Sequence, residues 1–244
     1  MEEQNKNEAL PSKLSRDDIH RIIKAKVHRI ENEFTQAFEF IKNYEKSVTF
    51  FGSARFDENN IHYKQAQNLA KRISKELGYA ILTGGGAGIM EAANRGAYDS
   101  GQPSVGLNIR LPRAQSLNRY TTESLQLDYF FVRKVALSFA AETYIFFPGG
   151  FGTLDELFDI LTLVQTHKIK RIPIILVGHD YWTPLNNFII NEMLNAHNTI
   201  DKSDLELYII TDNDDEIIEI IRQSEIKNLE RKLEKKAKMK EARQ

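Results

Sequence analysis

The 244-residue sequence contains no cysteine. Disulfides, thiolate zinc sites, iron–sulfur clusters and cysteine nucleophiles are excluded together, and the absence fits a reducing compartment. An excess of charge of either sign is missing too, with 33 Lys+Arg against 34 Asp+Glu. Such a balance provides no general field for phosphate backbones, so a nucleic-acid partner is not expected. No apolar run approaches the ~20 residues that a membrane helix needs. The segment Met1 to Arg16 is polar and lacks the apolar centre of a secretory signal. These features lead to the expectation of a soluble, cytoplasmic protein without a membrane partner.

Several chemical signatures are absent as well. No G-x-x-x-x-G-K-[ST] run occurs, which argues against a P-loop, and no G-x-S-x-G for a hydrolase nucleophile. Gly84-Gly-Gly-Ala-Gly-Ile departs from the G-x-G-x-x-G dinucleotide fingerprint and follows a middle strand rather than the first. The six histidines are scattered without metal-ligand spacing, so no metal and no cofactor are expected.

What is present is a 41% hydrophobic content, enough for a packed core. Short apolar runs alternate with helix-length periodic segments. The strand candidates are Val48–Phe51, Ala80–Leu82, Ser104–Ile109, Leu127–Phe131, Thr143–Phe147, Pro173–Val177 and Leu207–Ile210. Helical patterns cover Ile61–Leu77, Gly88–Ser100, Val132–Ala140, Thr153–His167, Trp182–Ala196 and Asp214–Arg222. Strands apolar throughout suit a parallel sheet covered on both faces. The rhythm predicts a doubly wound, mainly parallel, Rossmann-like α/β domain over residues 47–222. Ahead of it, residues 1–46 comprise a polar segment and an amphipathic helix from about Ser12 to Tyr44, with one stripe of Ile19, Ile22, Ile23, Val27, Ile30, Phe34, Phe38 and Ile41. Arg110–Glu123 reads as a long irregular loop. Residues 223–244 form a charged, mostly basic helical tail, read as a solvated helix, with a nucleic-acid or membrane contact as the weaker reading.

Seven of the 13 glycines fall in two clusters, Gly84, Gly85, Gly86, Gly88 and Gly149, Gly150, Gly152. Each follows a strand and leads into a helix. Bare backbone at a helix start presents N–H donors and the positive dipole end, a combination that favours phosphate; two tight βα turns are the plain structural reading. Arg133 stands at the opening of a helix, where the macrodipole disfavours a cation unless an anion is shared with it. Glu156 admits two readings. Thr153-Leu-Asp-Glu156 is a capping box with Thr153 as N-cap, or Glu156 is a functional carboxylate that the dipole keeps ionised.

Pro148-Gly-Gly-Phe-Gly-Thr-Leu-Asp-Glu156 resembles the P-G-G-x-G-T-x-x-E hallmark of the LOG ("lonely guy") family, nucleoside 5′-monophosphate phosphoribohydrolases often labelled lysine decarboxylases. Gly52-Ser-Ala-Arg55, Gly84-Gly-Gly-Ala-Gly-Ile-Met-Glu-Ala-Ala and Arg133-Lys134 extend the resemblance over about residues 47–222. It implies hydrolysis of the N-glycosidic bond of a nucleoside monophosphate to free base and ribose 5-phosphate. By the same resemblance Arg133 and Glu156 are the catalytic pair, with Gly149, Gly150, Gly152, Thr153, Gly84, Gly85 and Gly86 at phosphate and ribose. Ser53, Arg55, Glu91 and Lys134 complete the expected substrate contacts. Plant-type members carry Met-His two residues before the Arg-Lys pair, whereas here the run is Phe130-Phe131-Val132-Arg133. That resembles the larger bacterial branch and makes AMP a candidate substrate beside cytokinin-type nucleotides. Relatives imply a homodimer or higher assembly. A non-catalytic nucleotide sensor or carrier of the same fold is the alternative; lysine decarboxylation, which needs pyridoxal phosphate on a Schiff-base lysine, rests on old labels alone.

Overall fold

The computed structural model describes residues 15–44, 46–110 and 116–224. The expected polar leader, the tip of the Arg110–Glu123 loop and the tail beyond residue 224 lie outside the described residues. Seven strands form one sheet: β1 (Ser47–Phe51), β2 (Ala80–Thr83), β3 (Ser104–Ile109), β4 (Glu123–Leu127), β5 (Thr143–Phe146), β6 (Ile174–Leu176) and β7 (Ile209–Ile210). Their order is β4-β3-β2-β1-β5-β6-β7, and every neighbouring pair is parallel. β1 lies between β2 and β5, so the chain leaves it in one direction and returns on its other side. The crevice at the carboxyl ends of β1 and β5 is the topological switch point, where open α/β sheets bind ligands.

Six helices are α1 (Arg16–Ile41), α2 (Ile61–Leu77), α3 (Ile89–Asp99), α4 (Phe130–Ala140), α5 (Phe151–Gln165) and α6 (His179–Phe188), the last continued by a π-helical turn over Ile189–Ala196. A further helix, α7, covers residues 214–224. Alternate side chains of each strand enter two cores. Phe51, Leu82, Leu107, Phe146 and Leu176 pack with α1, α4, α5 and α6. Phe50, Ile81, Ile145, Phe147 and Val177 pack with α2, α3 and α7. Local chemistry sets the helix ends. Ser15 and Asp18 form a capping box at α1; Asn60 caps α2, and Gly78 ends it at a positive φ of 72°.

Two expectations need correction. The fourth strand is Glu123–Leu127 rather than Leu127–Phe131. It is an edge strand, mostly exposed, so its alternating residues carry no continuous apolar signal. Phe130 and Phe131 belong instead to the first turn of α4 and remain exposed. The second correction is that α5 begins at Phe151, with Gly150 at the N-cap. Thr153 is therefore its third residue and Glu156 its sixth, so the capping-box reading does not hold.

Helix α1 reaches the site indirectly. Its second half packs on α4, with Phe34 against Phe131 and Phe38 against Phe139 at ring separations of 6.1 and 5.6 Å. The Glu33 carboxylate accepts hydrogen bonds from the backbone N–H groups of Asp128 and Tyr129. Those groups lie at the start of α4, whose orphan donors need an acceptor.

Candidate active site

Three loops at the carboxyl edge are tied together by the backbone of one residue. The Ser53 N–H donates to Pro148 O at 3.0 Å, and Ser53 O accepts from Ile89 N–H at 3.0 Å. The turn after β1 is thereby locked to the glycine segment before α3 and to the Pro148-Gly-Gly turn before α5. Ser53 Oγ accepts from Arg55 N–H at 3.1 Å. The Arg55 side chain is exposed on the rim.

Arg133 leaves the first turns of α4 and crosses the ends of β2 and β3. Its Nε donates to Leu107 O at 2.8 Å, and its Nη1 lies 3.2 Å from Glu156 Oε1. The two side chains are only 11% and 15% exposed. Gly84 makes this placement feasible, because a Cβ there would stand 2.1 Å from Arg133 Nη2. Burial pushes the Glu156 carboxyl up to about 7; Arg133 and Lys134 pull it down and Asp155 pushes it further up. Desolvation thus outweighs the neighbouring cations.

The start of α5 has the features of an anion site. No side chain caps Gly150 and no acidic residue occupies the first turn. The N–H groups of Phe151, Gly152 and Thr153 consequently have no intrahelical acceptor. A Cβ at Gly150 or Gly152 would meet nothing within 4 Å, so the space before the helix is open. At Gly149 the opposite holds, since a Cβ would stand 2.1 Å from Thr153 Oγ1. Thr153 is buried under the turn, and the Tyr181 hydroxyl of α6 donates to Gly149 O at 2.5 Å. Glu156 follows Thr153 by three residues, about one helical turn, or ~5 Å along the axis.

The other anticipated residues divide. Gly85 and Gly86 line the turn against which Arg133 rests, Gly85 at a positive φ of 69°. Lys134 is held by Asp155 at 3.1 Å and Asp159 at 3.6 Å, both on α5. Glu91 does not join the Arg133–Glu156 pair; it accepts from the Tyr63 hydroxyl at 3.1 Å and ties α3 to α2. Sequence reasoning missed Tyr181, Glu33 and a buried polar set of Thr83, Asn94, Ser104 and Asn118. Nothing in local spacing singles these residues out, because the partners that bring them together are 10–96 positions away. A cavity of about 630 Å³ also exists, lined by Phe38, Phe139, Lys42 and Lys168. It lies at the amino edge of the sheet, away from the conjunction of carboxylate, guanidinium and helix start. Among the described residues, no group of three or more His, Asp or Glu side chains is arranged to hold a metal ion.

Comparison with known proteins bears on the family and the fold. A family model described as "Possible lysine decarboxylase" matches residues 90–221, more than half of the chain. A probable cytokinin riboside 5′-monophosphate phosphoribohydrolase of Oryza sativa subsp. japonica is 28% identical over 152 residues, covering 60% of this chain and 69% of the relative. A cytokinin riboside 5′-monophosphate phosphoribohydrolase of Rhodococcoides fascians is 25% identical over 149 residues, covering 59% and 74%. Among solved structures, the molybdenum cofactor carrier protein of Chlamydomonas reinhardtii aligns with a TM-score of 0.54 at 20% identity, covering 73% of this chain and 98% of that one. The molybdenum cofactor binding protein of Rippkaea orientalis gives 0.52 at 19%, covering 72% and 94%. Likeness at that identity concerns the fold. With the family model, the named relatives and the complete Pro148–Glu156 hallmark in place, the chain belongs to the LOG family.

Proposed function

We propose that the protein hydrolyses the N-glycosidic bond of a nucleoside 5′-monophosphate, AMP or a cytokinin-type nucleotide, releasing free base and ribose 5-phosphate. The observation that carries this reading is Glu156, buried against Arg133 about one and a half helical turns beyond the uncapped start of α5. The N–H groups of Phe151, Gly152 and Thr153 receive the 5′-phosphate, as helix starts receive anions generally. Binding energy from that non-reacting group then positions the sugar over Glu156. Glycosidic cleavage passes through an oxocarbenium-like transition state. The ionised Glu156 carboxylate stabilises the positive charge and orients or deprotonates the attacking water. Arg133 fixes that carboxylate and favours its ionised form.

Lysine decarboxylation fits the site less well. It requires a lysine presented to pyridoxal phosphate for a Schiff base, whereas Lys134 is engaged by Asp155 and Asp159. The carrier reading uses the same loops without cleavage and is separated by product formation.

The test is incubation with a panel of nucleoside monophosphates, followed by chromatography for free base and assay for ribose 5-phosphate. Stoichiometric release of both, lost in Glu156→Gln, supports the reading. Saturable nucleotide binding with no product over prolonged incubation gives the carrier reading instead.

The working unit proposed is a homodimer or higher homo-oligomer. Ile19, Ile22, Ile23 and Val27 on α1 and Phe130, Phe131 and Phe139 on α4 are all at least two-fifths exposed. Clustered apolar exposure of that kind marks an interaction surface.

A further inference from the structure

The buried polar set beneath the glycine turn is the feature that the proposed chemistry leaves unused. Thr83, Asn94 and Ser104 are fully buried, and Asn118 nearly so. Their hydrogen bonds form a closed system. The Gly85 N–H donates to Thr83 Oγ1 at 2.8 Å, and the Thr83 hydroxyl donates to Asn94 Oδ1 at 2.6 Å. Asn118 Nδ2 donates to the same Asn94 Oδ1 at 2.9 Å and to Gly86 O at 3.0 Å. The backbone N–H of Asn118 donates to Gly85 O at 2.9 Å, while its Oδ1 accepts from Tyr120 N–H at 3.1 Å. Asn94 Nδ2 donates to Ser104 Oγ at 3.0 Å, and that hydroxyl donates to Asn94 O at 2.9 Å.

Each side-chain carboxamide and hydroxyl of the set is satisfied, so the arrangement is specific as well as buried. Its direction is informative. Two of its members bond the turn itself, gripping Gly85 from both its N–H and its carbonyl, and Gly86 by its carbonyl. The preceding residue, Gly84, is the surface on which Arg133 Nη2 rests. Leu117, adjacent to Asn118, packs at the same place, since a Cβ on Gly85 would stand 2.8 Å from Leu117 Cδ1. The crossover segment 116–121 and helix α3 thus act on one three-residue turn.

We propose that Asn118 and Thr83 are positioning residues for Arg133: with Asn94 they fix the Gly84-Gly85-Gly86 turn, and the turn holds the guanidinium in contact with Glu156. The inference rests on the hydrolytic reading for its kinetic consequence only; its structural content stands without turnover. The backbone bond from Asn118 to Gly85 survives truncation, so Asn118→Ala removes the grip on Gly86 and Asn94 together with the local acceptor for Tyr120 N–H. Thr83→Val removes the acceptor for Gly85 N–H at nearly constant shape, and Thr83→Ser keeps it. A small displacement of a reacting group is enough to matter, because ~1 Å can cost on the order of a hundredfold in rate.

The experiment compares wild type, Asn118→Ala, Thr83→Val and Thr83→Ser, with Ile73→Ala as a core-destabilised control remote from the turn. Two readouts are taken on folded protein. The first is the Glu156 carboxyl midpoint by 13C NMR, assigned by Glu156→Gln. The charges acting on that carboxyl are Arg133 and Lys134 from α4 and Asp155 from α5. The second is kcat and KM for the nucleotide that wild type cleaves. Expected is an upward shift of the midpoint in Asn118→Ala and Thr83→Val, and a fall in kcat of about 10- to 100-fold. Thr83→Ser restores both, and Ile73→Ala lowers Tm without moving the midpoint. An unmoved midpoint in both loosened variants, or an equal shift in Ile73→Ala, overturns the proposal. If wild type releases no base, the hydrolytic reading fails while the midpoint still decides this one.

Discussion

Arg133 and Glu156 are 23 residues apart in sequence, yet their guanidinium and carboxylate meet at 3.2 Å inside the protein. The pair is unequal: burial outweighs the nearby cation and places the carboxyl at about 7. Catalysis by the ionised form then requires kcat/KM to rise with pH through about 7, a limb that Glu156→Gln abolishes together with most of the activity. Stability runs the other way. A carboxyl whose pKa is raised on folding binds more protons in the native state between about 4.5 and 7. Its contribution is therefore fully present below 4.5, is lost as pH rises through 7, and changes little above that. The slope is at most ~1.4 kcal/mol per pH unit. Denaturant titrations across pH 4–8 should show this extra decline in wild type and not in Glu156→Gln; parallel curves would contradict it.

Glycines of the two clusters are predicted to respond oppositely to alanine. In Gly84→Ala the new Cβ collides with Arg133 Nη2. The guanidinium must move, and base release should drop at least ~10-fold, in the range seen when an electrostatic contact is displaced. In Gly152→Ala the Cβ enters open space, inside the first turn of a helix that alanine favours. Tm should hold or rise slightly while KM for the nucleotide increases, because the methyl group occupies the approach to the N–H donors. Unchanged KM in Gly152→Ala would argue against phosphate binding at the start of α5.

Much of the molecule was legible because its signals are local. Continuous apolar runs gave β1, β2, β3 and β5, and the glycines after β2 and β5 marked two of the loops that meet at the carboxyl edge. Arg133 and Glu156 were identified by a motif, not by any periodicity that placed them together. The fourth strand was misplaced because Glu123-Ser-Leu-Gln-Leu is an exposed edge segment, whereas Phe130 and Phe131 look like strand but lie on the exposed side of α4. Glu91 shows another limit of local spacing: it follows the glycine turn in sequence, but the bond it accepts comes from Tyr63 on α2, a partner that no motif reveals. The Asn94–Asn118 contact joins residues 24 apart, with the end of α3 and the whole of β3 between them, and only the fold brings them together.

Glu33 links the amino-terminal helix to the chemistry. Its carboxylate accepts from two backbone N–H groups at the entrance to α4, four to five residues ahead of Arg133. Glu33→Ala leaves those donors to solvent and should cost about 1–2 kcal/mol, as loss of a charged helix cap does. Glu33→Gln, which keeps an acceptor, should recover part of that loss. Equal melting temperatures for Glu33→Ala and wild type would show that the contact contributes nothing.

The same helix sets the last prediction. α1 packs its second half on α4, but Ile19, Ile22, Ile23 and Val27 continue its apolar stripe and remain about half exposed. Leaving four branched side chains and the neighbouring phenylalanines in water forgoes burial worth roughly 25 cal/mol per Å². A second copy supplies the same stripe, and a two-fold axis lets each α1 cover the other. Sedimentation at micromolar concentration should therefore show a dimer or larger species. Ile23→Glu, placing charge at the centre of the stripe, should shift it toward monomer without lowering helicity. A wild-type chain that sediments as a monomer at that concentration would leave the stripe without a self-association role.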